Sequence, residues 1–160
     1  EERVELIEGE LIALSPVNHP HILRTIKISR LLTLAPGTTA YVSVQFPVRL
    51  GEHSEPQPDI AVLRPEFETA TASPPTPDNI LLLIEVAHSF LRYDRNVKAA
   101  LYARYAVAEY WIVDVESGIL TVHRDPTDSG YATVTEACPS GTLEPVLLPG
   151  LHLAVADLLA

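Results

Sequence analysis

The alternation of hydrophobic and polar residues predicts a chain built largely from short β-strands. Residues 41–50 carry apolar side chains at every second position, which is the pattern of a half-buried strand, and Pro47 places that strand at a sheet edge or a bulge. Residues 80–84 form the most continuous apolar run, as expected for a central strand that is covered on both faces. Further strands are predicted at 4–14 (a hairpin around Glu8-Gly9), 60–63, 109–115, 119–124 and 131–135.

Two longer stretches have the signals of amphipathic helices. The first begins at an Asn18 cap with Pro20 in its first turn and is expected to end near Gly37. The second covers residues 92–105 and should pack over the sheet, while residues 155–159 predict a short terminal helix. Strands, helix, strands, helix and strands in this order predict an α/β fold with a mixed central β-sheet flanked by helices.

Length and composition fit a single globular domain over residues 1–160. With 47% hydrophobic and 20% charged residues, the chain is too apolar to be disordered. Because no apolar run approaches the roughly 20 residues that cross a bilayer, and no signal-peptide pattern is present, we expect a cytoplasmic protein without membrane contact. Cys138 is the only cysteine, which excludes an internal disulfide and a cysteine zinc cluster.

The formal net charge of −10 limits the ways in which this chain could bind nucleic acid. Non-specific DNA affinity comes from Lys and Arg side chains that displace counterions, so an acidic protein is a poor DNA-coating protein. A metal-dependent nuclease can still be acidic, because its site needs carboxylates and its basic contacts can be few and local. Any DNA affinity is therefore expected to be weak and strongly salt-dependent.

Glu85 is the first candidate for chemistry, because it interrupts the apolar run of residues 80–86. A lone buried carboxylate at that place would cost several kcal/mol, so something must compensate its charge. One answer is a bound cation, with Asp59 at the start of a neighbouring strand as the second ligand. The alternative is that Glu85 lies at an exposed strand end and that Asp59 caps a turn after Pro58.

The second predicted helix brings three further polar side chains to one face. Asp94, Lys98 and Tyr102 recur every fourth residue, so their side chains follow one another along the helix. A solvated Asp94–Lys98 ion pair, worth a few tenths of a kcal/mol, would explain two of them without chemistry. However, Lys98 is one of only two lysines beside nine arginines. An ammonium can orient or deprotonate a water molecule, whereas a guanidinium stays protonated.

Taken in order, these segments resemble the PD-(D/E)XK nuclease superfamily and, within it, the Uma family of restriction-endonuclease-like proteins. The matching segments are Leu6-Ile7-Glu8-Gly9-Glu10, His21, Pro58-Asp59, Ile84-Glu85-Val86, Asp94, Lys98, Tyr102 and Glu109-Tyr110-Trp111-Ile112-Val113-Asp114. The chain departs from the superfamily at Ala87, where the short motif has lysine, and the family's equivalent maps onto Lys98. The turn after the Glu85 strand also differs and reads His88-Ser89-Phe90-Leu91.

The resemblance implies a restriction-endonuclease-like fold and a catalytic site made by Asp59, Glu85 and Lys98. Asp59 and Glu85 would be acidic ligands of Mg2+ or Mn2+, and Val86 could offer its backbone carbonyl to the same ion. Lys98 would position the attacking water. The protein would then be a metal-dependent endonuclease that hydrolyses DNA phosphodiester bonds, with a homodimer expected so that both strands are cut.

Two other functions remain open at this level. The fold could persist as a catalytically silent module with a binding or regulatory role in mobile-element control, which the acidic surface and Ala87 favour. A metal-dependent hydrolase acting on a non-nucleic substrate would also suit the negative charge. The sequence leaves the roles of Glu8 and His21 undecided.

Overall fold

A computed structural model of the protein describes residues 3–14, 16–69, 73–87 and 91–160. The unusual turn residues His88, Ser89 and Phe90 lie outside these ranges. The described strands are β1 (Val4–Ile7), β2 (Glu10–Ala13), β3 (Tyr41–Val44), β4 (Ile60–Leu63), β5 (Ile80–Ala87), β6 (Glu109–Asp114), β7 (Ile119–Thr127), β8 (Gly130–Glu136), β9 (Thr142–Leu143) and β10 (Leu153–Ala154).

The described helices are fewer than the strands and lie on both sides of them. They are α1 (His19–Leu34), α2 (Leu91–Tyr93), α3 (Ala99–Arg104) and α4 (Val155–Leu159), with a π-helical turn (Asp94–Lys98) and three 3-10 turns (Gly37–Thr39, Pro65–Thr69 and Pro77–Asn79). The segment α2, π turn and α3 runs on without a break and is called the α2–α3 segment below. No helix in the described ranges is long and apolar enough to cross a membrane.

The centre of the molecule is a six-stranded sheet in the order β3-β4-β5-β6-β7-β8. The β5–β6 pair is parallel and is connected across the sheet by the α2–α3 segment, whereas the other neighbouring pairs are antiparallel. Hairpin β1–β2 and the short pair β9–β10 stand apart from this sheet. The expected mixed β-sheet flanked by helices is confirmed.

Alternation along the central strands produces two apolar layers, one on each side of the sheet. Ile84 and Val86 of β5 belong to the layer that also contains Ile28 and Leu32 of α1. Leu83 and Ala87, which point the opposite way, belong to the layer with Leu101 and Tyr102 of α3. Glu85 shares the parity of Leu83, so it faces the α2–α3 segment.

The predicted strand over residues 41–50 is wrong beyond Val44. Gln45 adopts a left-handed φ of +52° and turns the chain out of the strand, and Pro47 has no N–H to continue a ladder. As a result Phe46 is 62% exposed although Val48 is fully buried, so the expected apolar face does not form. The edge position of this strand is confirmed, because β3 is the outer strand of the sheet.

Candidate active site

Asp59 and Glu85 form a cross-strand pair of carboxylates. The β4–β5 register pairs Ile60 with Ile84, which places Asp59 directly opposite Glu85. The Asp59 N–H donates to Glu85 Oε2 at 3.2 Å, and the Val86 N–H donates to Asp59 Oδ2 at 2.9 Å. Glu85 is only 3% exposed, so the alternative that it lies at an exposed strand end is wrong. Two like charges at opposed positions are destabilising unless positive charge compensates them.

Lys98 supplies part of that compensation. Its Nζ lies 2.8 Å from Glu85 Oε1, and the Tyr102 hydroxyl donates to the same oxygen at 3.2 Å. Lys98 and Asp94 are both buried, so the interpretation of a solvated Asp94–Lys98 pair is wrong. The sequence interval of four therefore does bring Lys98 and Tyr102 to the site. The π turn that contains Lys98 is a rare backbone form that often occurs at functional sites.

Glu5 is a site residue that the sequence analysis missed. It is 1% exposed, its Oε2 lies 3.2 Å from Lys98 Nζ, and the same oxygen accepts the Gln57 N–H at 3.0 Å. The alternation of side chains in β1 could have indicated its burial, because Glu5 lies on the same side of the strand as the buried Ile7. The sequence instead drew attention to Glu8, which is exposed at the hairpin tip and pairs with Arg104 at the surface.

His21 joins the site from the first turn of α1. The Asn18 side chain caps the helix by accepting the backbone N–H of His21 at 3.0 Å, which holds the backbone of the first turn that carries the imidazole. His21 Nε2 then lies 3.0 Å from Asp59 Oδ1, and Gln45 Nε2 donates to that oxygen at 3.4 Å. His21 therefore contacts the candidate acidic pair rather than solvent.

The electrostatics of the site reflect an excess of buried negative charge. Burial raises the pKa of Glu85 well above its usual range, and Asp59 and Asp94 raise it further, although Lys98 opposes this. Burial likewise raises the pKa of Asp94 to about 7. Burial alone would raise the pKa of Asp59, but His21 and the Val86 N–H lower it below its usual value.

Lys98 is affected in the opposite sense. Burial would lower its pKa, but the charges of Glu85, Glu5 and Asp94 outweigh burial and hold the pKa above its usual range. The side chain is therefore a charged ammonium at neutral pH.

The side chains of the site surround a pocket of about 90 Å³, which is large enough for several water molecules. Glu5, Asp59, Glu85 and Asp94 line it together with Lys98 and His21. Two buried atoms on this lining, Glu5 Oε1 and His21 Nδ1, have no hydrogen-bond partner among the described residues.

These residues fit a hydrated divalent ion better than a closed metal cage. No group of three or more His, Cys, Asp or Glu side chains that could hold a metal ion occurs in the part of the chain that the structure describes. Mg2+ does not need such a cage, because it usually keeps several waters and binds through one or two carboxylates. Asp59 and Glu85, whose charge is only partly compensated by Lys98 and which have space beside them, match that kind of site.

The sequence model of the Uma2 family, described as "Putative restriction endonuclease", matches residues 1–156. The chain belongs to the Uma2 family. This membership indicates a nuclease of the restriction-endonuclease type, for which DNA is the substrate. No curated protein matches the Uma2 chain described here.

A solved structure from Anabaena variabilis ATCC 29413 has the same fold as this Uma2 protein. It is described as "a putative nuclease belonging to DUF820", and it superposes with a TM-score of 0.77 at 18% sequence identity. The match covers 98% of this chain and 89% of the other. At that identity the likeness establishes the fold alone, and this nuclease fold agrees with the restriction-endonuclease description of the family model.

Proposed function

We propose that the protein is a divalent-metal-dependent endonuclease that hydrolyses DNA phosphodiester bonds at Asp59, Glu85 and Lys98. The observation that carries this proposal is the opposed carboxylate pair with an ammonium 2.8 Å from one of its oxygens. A structural salt bridge needs one carboxylate for one ammonium. Here four carboxylates line a single pocket against the cations of Arg3 and Lys98, so the ionised carboxylates outnumber those cations and a bound metal ion would neutralise the excess negative charge.

Asp59 and Glu85 would hold Mg2+ or Mn2+, and the Val86 carbonyl would be a third oxygen ligand. When bound, such an ion polarises the scissile phosphate and lowers the pKa of a bound water. The contact between His21 Nε2 and Asp59 Oδ1 orients the Asp59 carboxylate, as partners of metal-binding side chains generally do.

Lys98 would act as a charged donor rather than as a base. Because the surrounding carboxylates hold its pKa above the usual range, it has no free electron pair to take a proton from water at neutral pH. Its N–H groups can orient the attacking water and then donate to the oxygens on which negative charge develops at phosphorus. The water oxygen forms the new P–O bond and releases a proton to solvent, while the P–O bond to the leaving sugar oxygen breaks and that oxygen takes up a proton from solvent.

Metal-dependent cleavage of supercoiled plasmid tests the proposal. Wild type should nick or linearise plasmid with Mg2+ or Mn2+, and EDTA should stop the reaction. Asp59→Asn and Glu85→Gln should each lower the rate by at least about 100-fold, as expected for loss of an essential group. Glu8→Gln is the matched control, because Glu8 is an exposed glutamate outside the pocket. Equal rates in all variants would contradict the proposal.

The DNA complex should be weak, because a chain of net charge −10 has few cations to displace counterions. Retention of DNA should be detectable at low salt and should be lost towards physiological salt. A complete lack of retention at low salt, together with metal binding, would favour a hydrolase of a non-nucleic substrate.

A second candidate function is that of a catalytically silent binding or regulatory module. It is favoured by Ala87, which occupies the superfamily's lysine position, and by the ion pair that Lys98 already makes with Glu85. Absence of Mn2+ uptake in calorimetry, in a protein that is folded, would support this candidate over the nuclease.

We also propose that the active species is a homodimer, since two sites are needed to cut both strands of a duplex. Strands β3 and β8 are the outer strands of the central sheet. Light scattering should give twice the chain mass, and a monomer that still makes double-strand breaks in a single encounter would contradict the idea.

A further inference from the structure

Lys98 has two carboxylate partners that come from different parts of the fold. Glu85 reaches it from the central strand β5 at 2.8 Å, and Glu5 reaches it from hairpin β1–β2 at 3.2 Å. All three residues are at most 4% exposed, so solvent contributes little to holding the ammonium. Each carboxylate is thus an independent anchor for the same charge.

Glu85 and Glu5 differ in how freely each can keep its contact with the Lys98 ammonium. In the proposed function Glu85 must give oxygen to a metal ion, yet its Oε1 is engaged by both Lys98 and Tyr102. If Glu85 were the single counter-charge, the ammonium and the ion would compete for it. A buried ammonium that loses its counter-charge is also costly, so it would tend to leave the site.

Glu5 is built to stay in place. Its Oε2 is fixed by the Gln57 N–H as well as by Lys98, while its Oε1 is buried in the pocket lining without a hydrogen-bond partner among the described residues. Strand β1, which carries Glu5, is held in place at the adjacent residue, because Leu6 and Glu55 exchange backbone hydrogen bonds of 3.4 and 2.7 Å. Hairpin β1–β2 therefore presents a fixed negative charge to the ammonium.

We propose that Glu5 is a positioning residue that holds the Lys98 ammonium in the site independently of Glu85. Resting on the proposed function, this means that Glu85 can turn an oxygen to a metal ion while Lys98 remains beside the reacting water. Hairpin β1–β2 is then part of the active site rather than a peripheral addition to the sheet.

The composition of the chain makes a direct test simple. Only Lys27 and Lys98 carry ammonium groups on side chains, and Lys27 is exposed whereas Lys98 is buried. With 15N-labelled lysine, the Lys98 ammonium should give a signal with slow hydrogen exchange, and the Lys27 ammonium should exchange rapidly. A Lys27→Arg variant assigns the two signals without changing charge.

Glu85→Gln provides the decisive measurement without any metal, because it removes the charge of Glu85 as a bound cation would. We expect the Lys98 ammonium to remain slowly exchanging in this variant, within about threefold of wild type, because Glu5 still holds it. The double variant Glu5→Gln with Glu85→Gln should speed exchange by at least about tenfold. Fast exchange in Glu85→Gln alone would overturn the inference. Glu8→Gln, an exposed glutamate on the same hairpin, is the control and should change neither signal.

A second arm covers the case in which Glu85→Gln does not fold. In Glu5→Gln, saturating Mg2+ should speed exchange of the Lys98 ammonium at least about tenfold, whereas in wild type Mg2+ should leave it slow. Slow exchange in both would overturn the inference and leave Glu5 a purely structural residue. Failure of the proposed function is distinguishable, because it would be seen as a lack of Mg2+ uptake and of plasmid cleavage by wild type, whatever Lys98 does in Glu85→Gln.

Discussion

Replacement of Lys98 by methionine should destabilise the protein in a strongly pH-dependent way. The substitution keeps most of the side-chain volume but removes the charge that contacts Glu85 at 2.8 Å and Glu5 at 3.2 Å. Removal of one partner from a buried ion pair costs about 3–5 kcal/mol, because the remaining charge is left uncompensated. We expect a loss of that size in the free energy of unfolding at pH 8.

The loss should shrink in acid, because the carboxylates can then escape the penalty by binding protons. Protonation of a carboxylate costs about 1.4 kcal/mol for each unit by which the pH exceeds the ordinary glutamate pKa. At pH 5 this cost is only about 1 kcal/mol per carboxylate. The pKa of Glu85 already lies above its unfolded value and Lys98 opposes that rise, so loss of Lys98 raises the pKa further and the variant loses stability as pH rises. The predicted loss is therefore about 2 kcal/mol or less at pH 5.

Urea unfolding followed by circular dichroism at pH 5 and pH 8 measures both values. Lys27→Met is the matched control: Lys27 is the other lysine of the chain and is exposed, so its loss should change stability by less than about 0.5 kcal/mol. A loss from Lys98→Met that is the same at both pH values, or below about 1 kcal/mol at pH 8, would refute the reasoning.

Two further predictions concern other buried carboxylates. Glu109 is fully buried and accepts from Trp111 Nε1 at 2.8 Å and from Arg124 Nε at 2.9 Å, so Glu109→Gln should lower the free energy of unfolding by about 2–4 kcal/mol, and an unchanged urea midpoint would contradict this. Burial raises the pKa of Asp94 to about 7, above its unfolded value, so its charge destabilises the fold increasingly as pH rises to 7. Asp94→Asn should therefore raise the free energy of unfolding by a few kcal/mol at pH 8 and have little effect near pH 4, and a gain that is larger in acid would have the wrong sign.

The part of the site that could be predicted from the sequence is the part that depends on regular secondary structure. Glu85 stands out because it interrupts an apolar run, and Asp59 begins the strand that pairs with it. Lys98 and Tyr102 have helical spacing, so their shared direction follows from the pitch of a helix even through the π turn.

The rest depends on tertiary contacts that local pattern does not encode. Glu5 lies on a two-stranded hairpin, and its burial results from the way that hairpin docks on the residues around Gln57. The sequence of a four-residue strand does not predict where the hairpin docks. Likewise the strand predicted over residues 41–50 ends at Val44, because the left-handed backbone conformation of Gln45 ends the strand although apolar and polar residues continue to alternate after it.

The most direct measurement of the central idea is the anomalous diffraction of crystals soaked with Mn2+. We expect an anomalous peak within coordinating distance of oxygens from both Asp59 and Glu85, and no such peak in Glu85→Gln crystals treated identically. Absence of the peak in wild-type crystals, or a peak that contacts neither carboxylate, would contradict the assignment of this pocket as a divalent-metal site.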